Sequence, residues 1–304
     1  MQKKYFMDIP EIPNLIHYAI PVFVITILSE LIIAVYIQQK KYDYKDALTS
    51  ISMGIGNVLV GLLAKGLSFG FLVLCYQFRI FDIPFTWWAW ILVFFAEDFT
   101  YYWSHRIGHE SRFFWASHVV HHSSRKYNLS TAVRQTWTGA FTGFFFTGWL
   151  AILGFHPIMI ATQGAINLLY QYWIHTEMIK KLPKWFEFVF NTPSHHRVHH
   201  ATNPQYLDRN HAGTLIIWDR MFGTFEPEVE KPVYGLTENI DTHNPLKVAF
   251  HEWIAIGKDL INNAKKPKDV LNYLFRPPGW KHDGTGKLSK DLRREYETQK
   301  KLDT

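Results

Sequence analysis

Long apolar runs fill the first 175 or so positions of this chain, and polar or charged residues dominate the remainder. The first run extends from about Leu15 to Ile37 and is broken only by Ser29-Glu30. The second, from about Ala47 to Phe78, carries Gly54, Gly56, Gly61, Gly66 and Gly70, small residues that permit close helix packing. It is longer than one bilayer crossing requires, so it must tilt, bend or project beyond the membrane. The third, from about Phe85 to Trp103, has Trp87, Trp88 and Trp90 at one end and Tyr101, Tyr102 and Trp103 at the other, an aromatic belt at both interfaces. The fourth spans about Gly139 to Ile174. Gly154-Phe-His-Pro157 in its middle favours a break, so two half-length or tilted helices forming a hairpin are expected. Beyond Lys180, residues from about Pro245 to Ala264 pattern as an amphipathic helix, Phe275 to Trp280 as a rigid turn, and the tail from Lys281 as a solvated helix or a disordered segment.

The chain has 304 residues, of which 48% are hydrophobic and 17% aromatic. Its mean hydropathy is only −0.09, so the apolar residues are unevenly distributed. The expected fold class is all-α: a polytopic membrane helix bundle with a cytosolic helical cap. The formal charge of +6 sits in membrane-flanking loops and the tail, which suits anionic lipid headgroups; no motif or basic stripe supports nucleic-acid binding. The single cysteine, Cys75, excludes an internal disulfide framework and thiolate metal sites of the CxxC kind, and reads as a small buried hydrophobe.

Orientation follows from basic residues. Arg106, Arg112, Arg125, Lys126 and Arg134 fall on one side together with Lys40, Lys41 and Lys45, against Arg79 alone in the loop between the second and third runs. That side is expected to face the cytoplasm, of a bacterial inner membrane or the endoplasmic reticulum, although Lys3 and Lys4 oppose an external N-terminus. With Asp8, Glu11 and two prolines ahead of an overlong first run, the N-terminus is expected to insert without cleavage.

Nine of the 16 histidines fall into three short clusters on that side. They are His105-Arg-Ile-Gly-His109, His118-Val-Val-His121-His122 and His195-His196-Arg-Val-His199-His200. Spacings of three and four place side chains on one helical face, and imidazole is the commonest metal ligand. Eight such rings are too many for one ion and suit two, so a dimetal site is predicted. Zn, Cu, Fe and Ni all accept imidazole; two ions without thiolate suit dioxygen activation at iron. A lone histidine would read as an ordinary interfacial residue. A metal transporter would place its ligands at the bilayer midplane, whereas these clusters lie past the ends of the runs.

His175, in Trp173-Ile-His-Thr-Glu177, returns to the same side and is an additional candidate ligand. Asp98, seven residues before His105, is a candidate to accept a ligand's second ring N–H, or else a packed carboxylate. Glu110 reads as a ligand, an acid/base or a helix-end charge. His17, His156, His243, His251 and His282 are isolated and read as ordinary; His211 is a partial exception because it follows Asp208-Arg-Asn210 near the third cluster.

The HxxxH, HxxHH and HxxHH series with apolar flanks resembles the fatty acid hydroxylase/sterol desaturase superfamily over about Trp88 to Trp280. Several stretches are most similar to the alkylglycerol monooxygenases: Glu97-Asp-Phe-Thr-Tyr-Tyr-Trp-Ser-His105, His121-His-Ser-Ser, Tyr127-Asn-Leu-Ser-Thr-Ala-Val-Arg-Gln135, Asn167-Leu-Leu-Tyr-Gln-Tyr-Trp-Ile-His175, Asn191-Thr-Pro-Ser-His-His-Arg-Val-His-His200 and Leu215-Ile-Ile-Trp-Asp-Arg-Met-Phe-Gly-Thr-Phe225. The resemblance implies a di-iron oxygenase that uses O₂ and reduced tetrahydropterin to hydroxylate the carbon beside the ether oxygen of a glyceryl ether. Carried over by motif, the ligands are His105, His109, His118, His121, His122, His196, His199 and His200, with His175 and the acidic Glu110 added; His195 matches the doubled histidine without a clear role.

The chain is shorter than the animal enzymes and carries no fused cytochrome b5 segment. Tetrahydrobiopterin or another external electron donor, or a separate redox protein, is therefore expected. The expected division is membrane helices over residues 1–85, a catalytic domain over 86–280 and a charged tail over 281–304. Trp137, Phe144 to Phe146 and Trp149 are candidates to line a lipid slot, or else to face lipid. Competing readings are hydroxylation or desaturation of another lipid (sterol, fatty acyl, carotenoid or aminolipid) and a non-catalytic metal carrier.

Overall fold

A computed structural model describes residues 15–39 and 42–302 of the chain. Lys3, Lys4, Asp8, Glu11, Lys40 and Lys41 lie outside these residues, as does the side chain of His17. Among the described residues the fold is all-α; β structure is limited to two isolated bridges, Phe190 to Leu215 and Ala201 to Tyr234.

Helix α1 (Leu15–Ile32) continues into a π-helical turn, Ile33–Ile37. Helix α2 (Tyr44–Gln77) starts on Asp43, whose carboxylate accepts from Asp46 N at 3.1 Å. Its 34 residues form one continuous helix, about 50 Å at ~1.5 Å per residue. Two stretches are long and apolar enough to cross a membrane, Tyr18–Ile37 and Tyr44–Ala64; Gly66–Gln77 and Phe144–Leu153 are shorter apolar stretches. The glycines of α2 divide in use. Gly54 and Gly56 abut Val133 and the Trp137 indole, whereas Gly61, Gly66 and Gly70 have open space beside them.

Helix α3 (Trp87–Glu110) ends at Ser111, whose extended backbone reverses the chain directly into α4 (Arg112–His122). A short α5 (Leu129–Ala132), capped by Asn128, and α6 (Gly139–Thr142) lead through a 3₁₀ turn at Phe144–Thr147 to α7 (Gly148–Leu153). The expected break is present. Gly154 adopts φ +122, a value that β-carbon sterics deny other residues, and α8 (Pro157–Trp173) restarts with Pro157 in its first turn and His156 Nδ1 accepting from Ile158 N. The two halves are unequal, six residues against 17.

The polar third folds as α9 (Lys184–Val189), α10 (Pro193–His199), a 3₁₀ turn at Pro204–Tyr206, α11 (Ile217–Phe222), α12 (Pro245–Asn262), α13 (Pro267–Phe275) and α14 (Ser289–Leu302). The amphipathic expectation for Pro245 to Ala264 matches α12, which buries Val248, Ala249 and Ile256. The charged tail is helical, and α14 is tied to the cap through Arg293 Nη1 to Leu207 O (2.5 Å) and Tyr296 OH to Glu230 (2.6 Å).

Two larger apolar clusters join the helices. One joins α2, α3, α7 and α8 through Leu72, Cys75, Val93, Leu150 and Met159. The other joins α2, α4 and α12 through Met53, Val120, Val248 and Ala249. Many buried residues are polar, among them Glu97, Asp98, Asn167, Gln171 and most of the clustered histidines. Large apolar side chains are exposed instead along α1, α2 and the start of α3, Val24, Leu63 and Trp87 among them, the inverse of a water-soluble bundle.

Candidate metal centre

Helix geometry decides how the histidines are shared. Residues four apart lie nearly in line, whereas a residue three along points to one side. In α4, His118 and His122 form the aligned pair and His121 diverges; in α10, His196 and His200 pair and His199 diverges. The two helices face each other, so each donates its pair to one group and its odd ring to the other. His105, His109, His118, His122 and His199 form a group of five; His121, His175, His196 and His200 form a group of four. Within each group the ligand atoms lie within 4.8 Å of one another. The groups touch where the His122 and His200 rings stack, centroids 4.3 Å apart.

The second ring nitrogen fixes which nitrogen faces inward. His105 Nδ1 meets His211 O at 2.7 Å, His175 Nδ1 meets Gln171 O at 2.7 Å, His199 Nδ1 meets Arg209 O at 2.9 Å and His121 Nδ1 meets Arg134 O at 3.3 Å. A carbonyl accepts, so these Nδ1 atoms carry the protons and each Nε2 presents a lone pair. His175 Nε2 and His121 Nε2 then face each other at 3.1 Å with no proton to share. His109 Nε2 and His199 Nε2 are buried with no partner at all. Lone pairs converging at hydrogen-bond distance need a cation between them, so the donor set fits metal. All-nitrogen, thiolate-free coordination suits iron as well as zinc.

Burial away from water and the proximity of other imidazoles hold His118, His121, His122, His196, His199 and His200 well below the ordinary imidazole range, and burial brings His175 to about 4. The rings stay neutral and available as ligands at pH 7.

The carboxylates behave differently from expectation. Asp98 reaches no histidine ring. It is fully buried and accepts from Thr214 N (2.7 Å), Leu215 N (3.0 Å) and Trp218 Nε1 (2.9 Å), so it anchors the loop that precedes α11. Glu110 stands outside both groups. It follows His109 in sequence, but the helical turn swings it to the exposed side, where it pairs with Arg106 at 2.9 Å. The carboxylate that does approach a grouped ring is Asp208, whose Oδ1 lies 3.5 Å from His109 Nδ1. His195 also points away from both groups, and its Nδ1 is buried without a partner.

His211 is fully buried beside the group of five, 5.1 Å from the His109 ring, with both ring nitrogens unpartnered. Its chain position is set by Asp219, which accepts from His211 N and Ala212 N, each at 2.8 Å. His156 caps α8, while His243, His251 and His282 make ordinary polar contacts with Thr49, Val248 and Tyr273. Asn167 and Gln171, missed in the sequence, link α8 to α3. Asn167 donates to Glu97 at 2.9 Å, Gln171 donates to Asn167, and Tyr101 donates to Gln171 at 2.7 Å. Their signal was faint: two amides four apart in an apolar run, in phase with His175. Of the slot candidates, Trp137 donates to Met53 O, Trp149 to Thr100 Oγ1, and the Phe146 ring packs on Phe114, while Phe145 is exposed.

Residues 90–224 match the model of the fatty acid hydroxylase family. The chain is 41% identical over 285 residues to alkylglycerol monooxygenase from Homo sapiens, covering 93% of this chain and 63% of the relative. It is 39% identical over 284 residues to the Xenopus tropicalis enzyme of that name, at 93% and 62% coverage. It is 26% identical over 187 residues to ornithine lipid hydroxylase OlsE from Rhizobium tropici, at 57% and 53% coverage. The chain thus spans under two thirds of the length of these relatives. No solved structure matches it. With the three histidine boxes inside the matched region, the chain belongs to the fatty acid hydroxylase/sterol desaturase superfamily.

Proposed function

We propose that this chain is a multi-pass membrane di-iron monooxygenase that hydroxylates a lipid C–H bond, with the ether-adjacent carbon of glyceryl ethers as its target. The observation that carries this reading is the division of nine imidazoles, all but the half-buried His118 buried, into abutting groups of five and four, with the Nε2 lone pairs of His105, His121, His175 and His199 turned inward. The similarity to alkylglycerol monooxygenases supplies the substrate class.

In this reading His105, His109, His118, His122 and His199 hold one iron, and His121, His175, His196 and His200 the other. Bound iron would supply O₂ reduction and C–H oxidation. The chain supplies the rest. Backbone carbonyls hold the ring tautomers, burial keeps the imidazoles neutral and water out, and the aromatic segment around Trp149 guides an acyl or alkyl chain toward the histidines. Asp98 and Glu110 act from outside: Asp98 shapes the loop bearing His211, and Glu110 stands at the cytosolic mouth. We divide the chain into membrane helices (1–85), a catalytic domain (86–280) and a charged tail (281–304). The histidine side faces the cytoplasm, and electrons arrive from a tetrahydropterin or a separate redox protein. The similarity to an ornithine lipid hydroxylase favours, as a second reading, hydroxylation of an aminolipid.

The test is iron loading of the purified chain under anaerobic conditions, then O₂, a reductant and a lipid panel. Fatty aldehyde formed from an alkylglycerol only when O₂ is present is the expected result. A hydroxylated aminolipid would select the second reading; no oxygen-dependent product from any lipid would sink both.

A further inference from the structure

His195 is the one member of the histidine boxes that both groups leave out. It lines a cleft of about 190 Å³ between α9, α10 and α11, together with Lys181, Lys184, Phe188 and Arg220. An adjoining cleft shares Lys181 and adds Lys180 and Lys231. The carboxylates here are already engaged. Glu228 forms a two-point pair with Arg197 at 2.8 and 2.7 Å, Glu187 accepts from Leu182 N and Thr192, and Glu177 accepts from Tyr234. Arg220 donates to the Glu187 and Phe188 carbonyls and lies over the Phe225 ring. Among the described residues, Lys181 and Lys184 form no ion pair. The floor is polar too: His195 is 3% exposed, and its Nδ1 has no partner.

The depth of the cleft is fixed by its neighbours. Tyr170, in the last turn of α8, donates to Asn191 O at 2.7 Å, which holds the end of α9 at the level where α8 leaves the apolar zone. The α11 residues Trp218 and Phe222 pack on Phe99 of α3. Phe188, which lines the cleft, is 61% exposed, and Trp185 and Met221, next in sequence to the lining residues Lys184 and Arg220, are 71% and 67% exposed. Lysine ammonium groups beside outward aromatic rings are the composition of a headgroup-level surface.

We propose that this cleft binds the phosphate headgroup of an anionic membrane lipid. Lys181 and Lys184 hold the phosphate over His195, and Trp185 and Phe188 sit among the acyl chains. The site is distinct from the grouped histidines, although His195 and the grouped His196 are consecutive residues of α10.

The full chain, in mild detergent, is titrated with phosphatidylglycerol or phosphatidylcholine and read by native mass spectrometry. One retained phosphatidylglycerol is expected, with retention weakened about tenfold or more in the Lys181→Gln/Lys184→Gln variant. A Lys290→Gln/Arg294→Gln control on exposed α14 is expected to retain the lipid as the unmodified chain does. Equal retention of the two lipids, or unchanged retention in the lysine variant, overturns the proposal. Inorganic phosphate that displaces phosphatidylglycerol supports recognition of the phosphate group. Retention of inorganic phosphate with no lipid retained identifies a free-anion site and also overturns it.

Discussion

Four of the nine ring Nδ1 atoms at the centre rest on neutral backbone carbonyls; among the described residues His109 has instead a carboxylate, Asp208, near its Nδ1. Asp208 adopts φ 52, a left-handed conformation that aspartate tolerates better than most residues, and it lies 3.9 Å from Arg293 of α14. A carboxylate at that position fixes the orientation of the ring it faces. Asp208→Asn is therefore expected to lower iron affinity about 10- to 100-fold in chelator competition, with Asp208→Glu recovering part of the loss. Equal affinity in Asp208→Asn and the unmodified chain would remove the carboxylate from the centre. Replacing His121, His122, His199 or His200 by Ala is expected to abolish turnover while leaving membrane insertion intact; near-normal activity in any of the four would contradict the assignment.

Between elements, buried polar contacts do the joining that apolar packing does elsewhere. Arg134, 1% exposed, meets Asp46 of α2 at 3.5 Å, and Ser124 donates to the same carboxylate at 2.5 Å. Asp46→Ala strands that guanidinium in a dry interior, at an expected cost of about 3–5 kcal/mol, read as a lowered thermal midpoint of the detergent-solubilised chain. Glu30 explains the polar interruption in the first apolar run: its carboxylate accepts from Leu129 N at 2.6 Å and from Thr176 at 2.5 Å, tying α1 to the histidine side. The helices and the break at Gly154 were legible because periodicity and proline chemistry are local. So was the histidine set, since spacings of three and four are local too. The division into five and four was not, because it depends on α4 facing α10. The choice between the two readings of Asp98 was not legible either, because its partners at 214, 215 and 218 lie more than a hundred residues away. Asp208 and Gln171 left little trace, since one is a loop acid and the other an amide among apolar neighbours.

At the scale of the whole molecule, the exposed apolar helices and the buried polar centre require opposite surroundings, and this gives two tests. If the chain crosses the membrane as proposed, single cysteines at Asp82 and Lys268 label from opposite faces with an impermeant reagent; labelling of both from one face would redraw the topology. Acid acts through the histidines. Their folded pKa values lie below that of a free imidazole, so the unfolded chain binds more protons below about 6.5, and stability falls as pH drops through that value. Iron retained on dialysis is expected to fall over the same interval, because each ligand must be unprotonated. The crossed sharing of rings between α4 and α10 reaches further. Neither helix can seat its contribution to one cavity without also setting its contribution to the other. Loading should therefore be all-or-none: at half the required iron, a preparation would be a mixture of fully charged and empty molecules, with few carrying a single ion.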